Sequence, residues 1–209
     1  MPTTVPTGLS DNFPPQLSSL DTSLFILINP DTSSEILNIQ FLTLTLLGGF
    51  SASVVLAGLL YAGGHERKAI LTITSILLAS AITGVIKIIV ARPRPYMVLP
   101  VVNVFALEAD WSFPSGHASR VFSLLPLASG SNRRLRLSFY AIACLVAFSR
   151  IYLGAHYPLD VLGGSTLGLL VGGTVNRYDA LLVPRVEAAA TRLRGIITRR
   201  SKLNTNQAD

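Results

Sequence analysis

ILNIQFLTLTLLGGFSASVVLAGLL, residues 36–60, contains no charged side chain. Crossing the hydrocarbon of a bilayer as a helix takes about 20 mostly apolar residues, so Ile36 to Leu60 is long enough to span. Working outward, a second span runs from Ala69 to about Ala91 and stays apolar until Lys87 near its far end. Leu137 to Leu153, with Arg150 near its end, and Pro158 to Asn176 are two more. Pro114 to Asn132 reads as a weaker span, interrupted by polar residues and by Pro126. The pattern predicts an all-α, polytopic membrane helix bundle of about five transmembrane helices. Upstream, Leu20, Leu24, Phe25, Leu27 and Ile28 fall on one side of a short helix. That segment is too short to cross. It either lies along the interface or packs under the bundle.

Composition agrees. Of 209 residues, 50% are apolar and 13% charged, and the mean hydropathy is +0.52. Soluble domains carry about a quarter charged residues. The expected organisation is a single domain: an N-terminal extracytoplasmic segment (1–35), a transmembrane domain (36–176) and a basic cytoplasmic tail (177–209). No sequence repeat, low-complexity tract or signal-peptide pattern is expected. The lone cysteine, Cys144, sits in an apolar run, so neither a disulfide nor a cysteine metal cluster is expected. The net charge of +6 does not point to nucleic acid. The cations lie between apolar runs and in the tail, a distribution suited to anionic lipid and phosphate.

The cations also orient the chain. With five spans, the loop at Gly63 to Lys68, the loop at Gly130 to Arg136 and the tail share one side, and they hold twelve of the 17 Lys and Arg residues. The positive-inside rule makes that side cytoplasmic. The five remaining cations, Lys87, Arg92, Arg94, Arg120 and Arg150, all map to outer helix ends or the loop joining them. Snorkelling to headgroups accounts for Arg92 or Arg120 taken singly. It does not account for the set. Lys87 and Arg94 bracket a helix exit, the next span opens with Pro114-Ser115-Gly116-His117, and Ser149-Arg150 is followed by His156 and Asp160. Two histidines, three cations and a carboxylate at one depth are costly in a membrane and mark a functional site.

These residues resemble the phosphatidic acid phosphatase type 2 superfamily, and its membrane-bound lipid phosphatases in particular. Its three-part signature is Lys-x6-Arg-Pro, Pro-Ser-Gly-His and Ser-Arg-x5-His-x3-Asp. The parts are met in order by Lys87, Arg94 and Pro95, by Pro114 through His117, and by Ser149, Arg150, His156 and Asp160. The resemblance implies that His156 attacks phosphorus to form a phosphohistidine, that Asp160 orients it, and that His117 protonates the leaving oxygen and then activates water. A neutral His156 beside a protonated His117 predicts a bell-shaped pH profile. Lys87, Arg94 and Arg150 supply positive charge for the phosphoryl oxygens, the arginines as planar forks. Ser115 and Gly116, at a helix start, add backbone N–H donors. No metal and no cofactor is expected: near the motifs the outer face offers only Glu108, Asp110 and Asp160 as carboxylates, too few for a metal pair.

Duller readings exist: His156-Tyr-Pro as an interfacial turn, Asp160 as a helix N-terminal anion, and Pro114-Ser-Gly as a cap. None explains the shared face. Trp111 and Phe113 read as interfacial anchors, and Arg120, one turn beyond His117, is a candidate substrate contact. The expected activity is hydrolysis of a lipid phosphate or pyrophosphate at the extracytoplasmic face, with phosphatidate, phosphatidylglycerophosphate and polyprenyl (pyro)phosphates as candidates and phosphotransfer as a variant. A non-catalytic lipid-phosphate binder or transporter is the alternative, but it would need the cations and not the histidines. Membrane lipids and the lipid phosphate are the expected partners; oligomeric state is left open.

Overall fold

The computed structural model describes residues 15–29, 34–99, 103–128, 132–189 and 191–192. Its helices are α1 (Pro15–Ile28), α2 (Glu35–Thr45), α3 (Phe50–Ala62), α4 (Glu66–Val90), α5 (Pro95–Val98), α6 (Gly116–Ser123), α7 (Arg133–Tyr152) and α8 (Pro158–Arg177). Among the described residues there is no strand. The molecule is an all-α integral membrane bundle, as its pattern of apolar runs predicts. The segment containing α4 and α5, together with α7 and α8, is long and apolar enough to cross a bilayer.

Two expected spans take a form that hydropathy alone does not convey. The charge-free stretch at 36–60 is a bent pair rather than a straight rod, with α2 and α3 meeting at 57° across a short 3-10 turn, Leu46–Gly48. Two adjacent glycines, each about 1 kcal/mol less favourable than alanine within a helix, sit at the break. Gly48 is needed there for space, since a Cβ on it would stand 2.7 Å from the Val146 side chain and 3.1 Å from that of His117. Its carbonyl, released from the helix ladder, accepts from Arg120 Nε at 3.0 Å. The break is therefore internally satisfied, as non-helical backbone at membrane depth must be.

The stretch 114–132 is likewise not one continuous helix. α6 has only eight residues and passes into a 3-10 segment, Leu125–Ala128, where Pro126 has no N–H to give. α6 is held instead by α8. Gly164, Gly168 and Gly172 form a stripe at four-residue spacing. A Cβ on any of them would collide with the carbonyl oxygen of Ser115, Ser119 or Ser123, respectively. The two backbones thus lie in contact, the close packing that small residues permit in a membrane. Ser119 Oγ also lies 2.9 Å from Thr83 Oγ1, which joins α6 to α4.

α1 lies against the site end of the bundle. Phe25 is fully buried with Ala118, Ala147 and Tyr157, whereas Leu20, Leu24 and Leu27 are exposed. The apolar side foreseen from sequence is thus divided: Phe25 packs inward and the leucines face out. At the opposite end, Arg67 pairs with Asp179, tying the first turn of α4 to the chain beyond α8. Residues 179–189 continue helical. The tail positions Leu193, Ile196 and Ile197 lie outside the described residues.

Candidate active site

Three chain segments converge at one end of the bundle. The first is the exit of α4. Lys87 occupies its last turn, and Ala91 then takes a left-handed conformation (φ 47°), its N–H closing on the Lys87 carbonyl. A left-handed alanine costs about 1–2 kcal/mol, and the turn delivers Arg92 and Arg94 to the bundle interior, both buried. The second segment is the start of α6, whose N-cap is Ser115 and whose first helical residue is Gly116. The third is the α7–α8 turn. Arg150 is in the last turn of α7, and the Ala155 and His156 N–H groups both return to its carbonyl. Asp160, in the first turn of α8, accepts from Tyr157 N at 2.9 Å. The Ser115 N–H donates to the Asp160 carbonyl at 2.9 Å, joining the second and third segments directly.

Glu108, in the loop between α5 and α6, sits at the centre. Its Oε1 is 2.6 Å from Arg150 Nη2 and 3.5 Å from His117 Nδ1. Its Oε2 is 2.6 Å from Arg94 Nη2 and 3.5 Å from His156 Nε2. One carboxylate thus stands among two guanidinium groups and two imidazoles. Burial alone would raise its pKa, but His156 and the charges of Arg150 and Arg94 hold it far below the usual carboxylate range. Asp110 behaves alike: burial opposes ionisation, while Lys87 and Arg94 hold its pKa down. Lys87 Nζ is 3.1 Å from Asp110 Oδ2 and donates to the Trp111 carbonyl. Arg94 is fully buried and donates to the Asp110 carbonyl at 2.7 Å and the Ala155 carbonyl at 2.8 Å. Arg150 donates to Thr45 Oγ1 at 2.9 Å.

The two ring nitrogens of His156 face different partners. Arg94 Nη1 lies 3.3 Å from Nε2. Glu108 Oε2 stands 3.5 Å from the same nitrogen, so Nε2 faces the cluster between a donor and an acceptor. Nδ1 faces Asp160 Oδ2 at 3.6 Å. That distance suits charge pairing but is longer than a formed hydrogen bond. Ser115 Oγ, Arg150 Nε and His156 Nδ1 are buried with no hydrogen-bond partner. Buried polar atoms are normally satisfied, so three orphans in one cluster suit a site that receives a polar ligand.

Every site residue singled out from sequence lies in this cluster or beside it: His117, His156, Asp160, Lys87, Arg94, Arg150, Ser115 and Gly116. Arg120 turns away to Gly48, and its guanidinium lies near Gly116. Arg92, plausible as a snorkelling residue on its own, is instead buried between two carboxylates. Sequence reasoning counted Glu108 and Asp110 only as too few for a metal pair. It had no signal for Asp21, which reaches the site's rear from α1.

The PAP2 superfamily model matches residues 68–182. The chain belongs to the PAP2 superfamily. Its place is among the membrane-bound lipid phosphatases of that family, and several relatives carry such names. Undecaprenyl-diphosphatase BcrC of Bacillus subtilis (strain 168) is 31% identical over 158 residues, covering 75% of this chain and 81% of that protein. Aquifex aeolicus LpxE superposes with a TM-score of 0.71 at 28% identity, covering 81% of this chain and 99% of that one. The PAP2-type phosphatidylglycerolphosphate phosphatase of Bacillus subtilis gives a TM-score of 0.69 at 26% identity, covering 81% and 89%. The PAP2 match contains Lys87, Arg94, Ser115 to His117, Arg150, His156 and Asp160, and leaves Asp21 outside.

Proposed function

We propose that this PAP2 protein hydrolyses the phosphate or pyrophosphate of a membrane lipid, without a metal ion, through a phosphohistidine on His156 at the extracytoplasmic face. One observation carries the reading: Arg94, Arg150, His117 and His156 all point at a single anion-sized position, the one taken by the Glu108 carboxylate. A phosphoryl group presents the same bidentate oxygen edges to two guanidinium forks. In this reading it replaces that carboxylate.

The chemistry follows from the groups present. His156 Nε2 attacks phosphorus, the bond to the lipid oxygen breaks, and His117 gives that oxygen its proton. Water then attacks the phosphohistidine, His117 takes the water's proton, and inorganic phosphate leaves as the P–N bond breaks. Asp160 balances the positive charge on the ring of His156, the orienting role of a triad carboxylate. Lys87, Arg94 and Arg150 compensate charge on the transferring oxygens, and Ser115 Oγ and the Gly116 N–H add neutral donors. The lipid tail stays in the bilayer, with the headgroup entering from the outer leaflet of the cell membrane. An isoprenoid diphosphate is the first substrate to try, because BcrC and a relative from Sulfolobus acidocaldarius both bear the name undecaprenyl-diphosphatase.

The deciding experiment is phosphate release by detergent-purified protein from isoprenoid diphosphates, phosphatidate and phosphatidylglycerophosphate, with a chelator present, beside His156→Ala and His117→Ala. Release that stops on chelation would remove the metal-free mechanism. Release untouched by the substitutions would remove the site.

A further inference from the structure

We propose that Arg92 and Asp21 are positioning residues for the reaction, forming a buried chain through which helix α1 holds the Asp160 carboxylate in register with His156. This rests on the phosphohistidine reading above and extends it to Arg92, at a variable position of the first signature part, and to Asp21, outside the signature.

The geometry is closed on every side. Arg92 Nη1 is 2.7 Å from Asp160 Oδ1, and Arg92 Nη2 is 2.7 Å from Asp21 Oδ2. Asp21 Oδ1 accepts from the Leu159 N–H at 2.9 Å, inside the first turn of α8. The Arg92 guanidinium carbon lies 4.1 Å from the centre of the Tyr157 ring, which supports the guanidinium face. Side-chain exposure is 4% for Arg92 and zero for both carboxylates.

The two oxygens of Asp160 have separate duties. Oδ2 accepts from Ser112 Oγ at 2.5 Å and from Tyr157 N, and it is the oxygen that faces His156 Nδ1. Oδ1 bonds to Arg92. With Oδ1 fixed, the carboxylate cannot rotate about its Cβ–Cγ bond, so Oδ2 stays aimed at the imidazole. Asp21 fixes the other arm of the fork and also tethers the α8 backbone beside Asp160. A buried ion triad is a poor way to gain stability, because desolvation of three charges opposes the pairing. Its value is in geometry. Arg92 binds the Asp160 oxygen that does not face His156, so its role in this proposal is positioning rather than gripping phosphate.

The test is steady-state kinetics on the full chain in detergent, with farnesyl diphosphate as substrate and inorganic phosphate as inhibitor. Rates are normalised to folded protein measured by thermal melting. The variants are Arg92→Gln, Arg92→Lys and Asp21→Asn, with His156→Ala beside them. Outer-shell partners typically contribute about 10- to 100-fold, so Arg92→Gln is expected to lower kcat by about tenfold or more. KM and inhibition by phosphate should stay within about twofold of the parent, because a positioning residue acts on the transition state and not on ground-state binding. Arg92→Lys, which can reach one carboxylate but not both, should recover part of the loss. Asp21→Asn keeps the shape of the chain and should also lower kcat alone. A folded Arg92→Gln protein with unchanged kcat, or a loss confined to KM, would overturn the proposal. If Arg92→Gln gives no melting transition, unchanged kcat in Asp21→Asn overturns it. An active His156→Ala protein would overturn the phosphohistidine reading and this one together, whereas an inactive one beside a normal Arg92→Gln overturns this one alone.

Discussion

Glu108→Gln should make the protein bind inorganic phosphate more tightly. In the structure the Glu108 carboxylate makes two 2.6 Å ion-pair contacts, one to Arg94 and one to Arg150. A phosphate that takes those donors must first displace it. Hydrogen bonds to charged groups contribute about 1.5–3 kcal/mol each and neutral ones about 0.5–1.5 kcal/mol. Glutamine keeps the shape but loses the charge, and its amide NH2 cannot accept from the second guanidinium, so the competitor loses one charge-assisted contact, about 2 kcal/mol. That corresponds to roughly 30-fold in a dissociation constant. Titration calorimetry with inorganic phosphate on detergent-purified parent and variant measures it without turnover. Equal affinities, or weaker binding by Glu108→Gln, would refute the idea that carboxylate and phosphate share one position.

Further expectations concern the proton carriers, pH and packing. His117→Ala should lose about 10²- to 10⁴-fold in kcat, and less on a substrate whose leaving group needs no proton; phosphate-release assays with an aryl phosphate and a lipid phosphate compare the two. The Glu108 pKa is held below its unfolded value, so its ion pairs stabilise fully above about pH 4.3, the unfolded value. That contribution is lost only as pH falls through the lower folded value. The melting-temperature gap between parent and Glu108→Gln should therefore stay constant from pH 8 to about pH 5 and close in stronger acid. Gly168→Val drives a side chain into the Ser119 carbonyl and should cost about 3 kcal/mol or more, read as a large drop in melting temperature. Gly84→Ala, where no atom stands within 4 Å, should raise stability by about 0.5–1 kcal/mol.

The motif residues were legible because each carries its meaning locally. Lys87, His117, Arg150, His156 and Asp160 sit at helix ends that hydropathy locates, and counting cations put those ends on one side. The spans of α4, α7 and α8 follow from apolar length alone. What escaped notice depends on distance along the chain. Nothing near Asp21 announces that it will meet Arg92, 71 residues away, and an acid within a short interfacial helix reads as an ordinary surface charge. Glu108 lies in a loop whose path is set by the cations it meets, not by any periodicity. The bend at Gly48 hides within a uniformly apolar run because hydropathy averages do not register a missing Cβ. α6 is shorter than the stretch 114–132 suggests, for the related reason that its stability comes from the glycine face of α8, which a window over those residues cannot see.

The glycine stripe of α8 also constrains how such a molecule can diversify. His117 rides on α6, and His156 and Asp160 sit at the head of α8, so the gap between the two imidazoles is set by main chain resting on main chain. Side chains on the lipid-facing surfaces can be exchanged, and the bundle fitted to thicker bilayers or bulkier tails, without altering that gap. Selection on what the enzyme accepts is thereby uncoupled from selection on how it reacts.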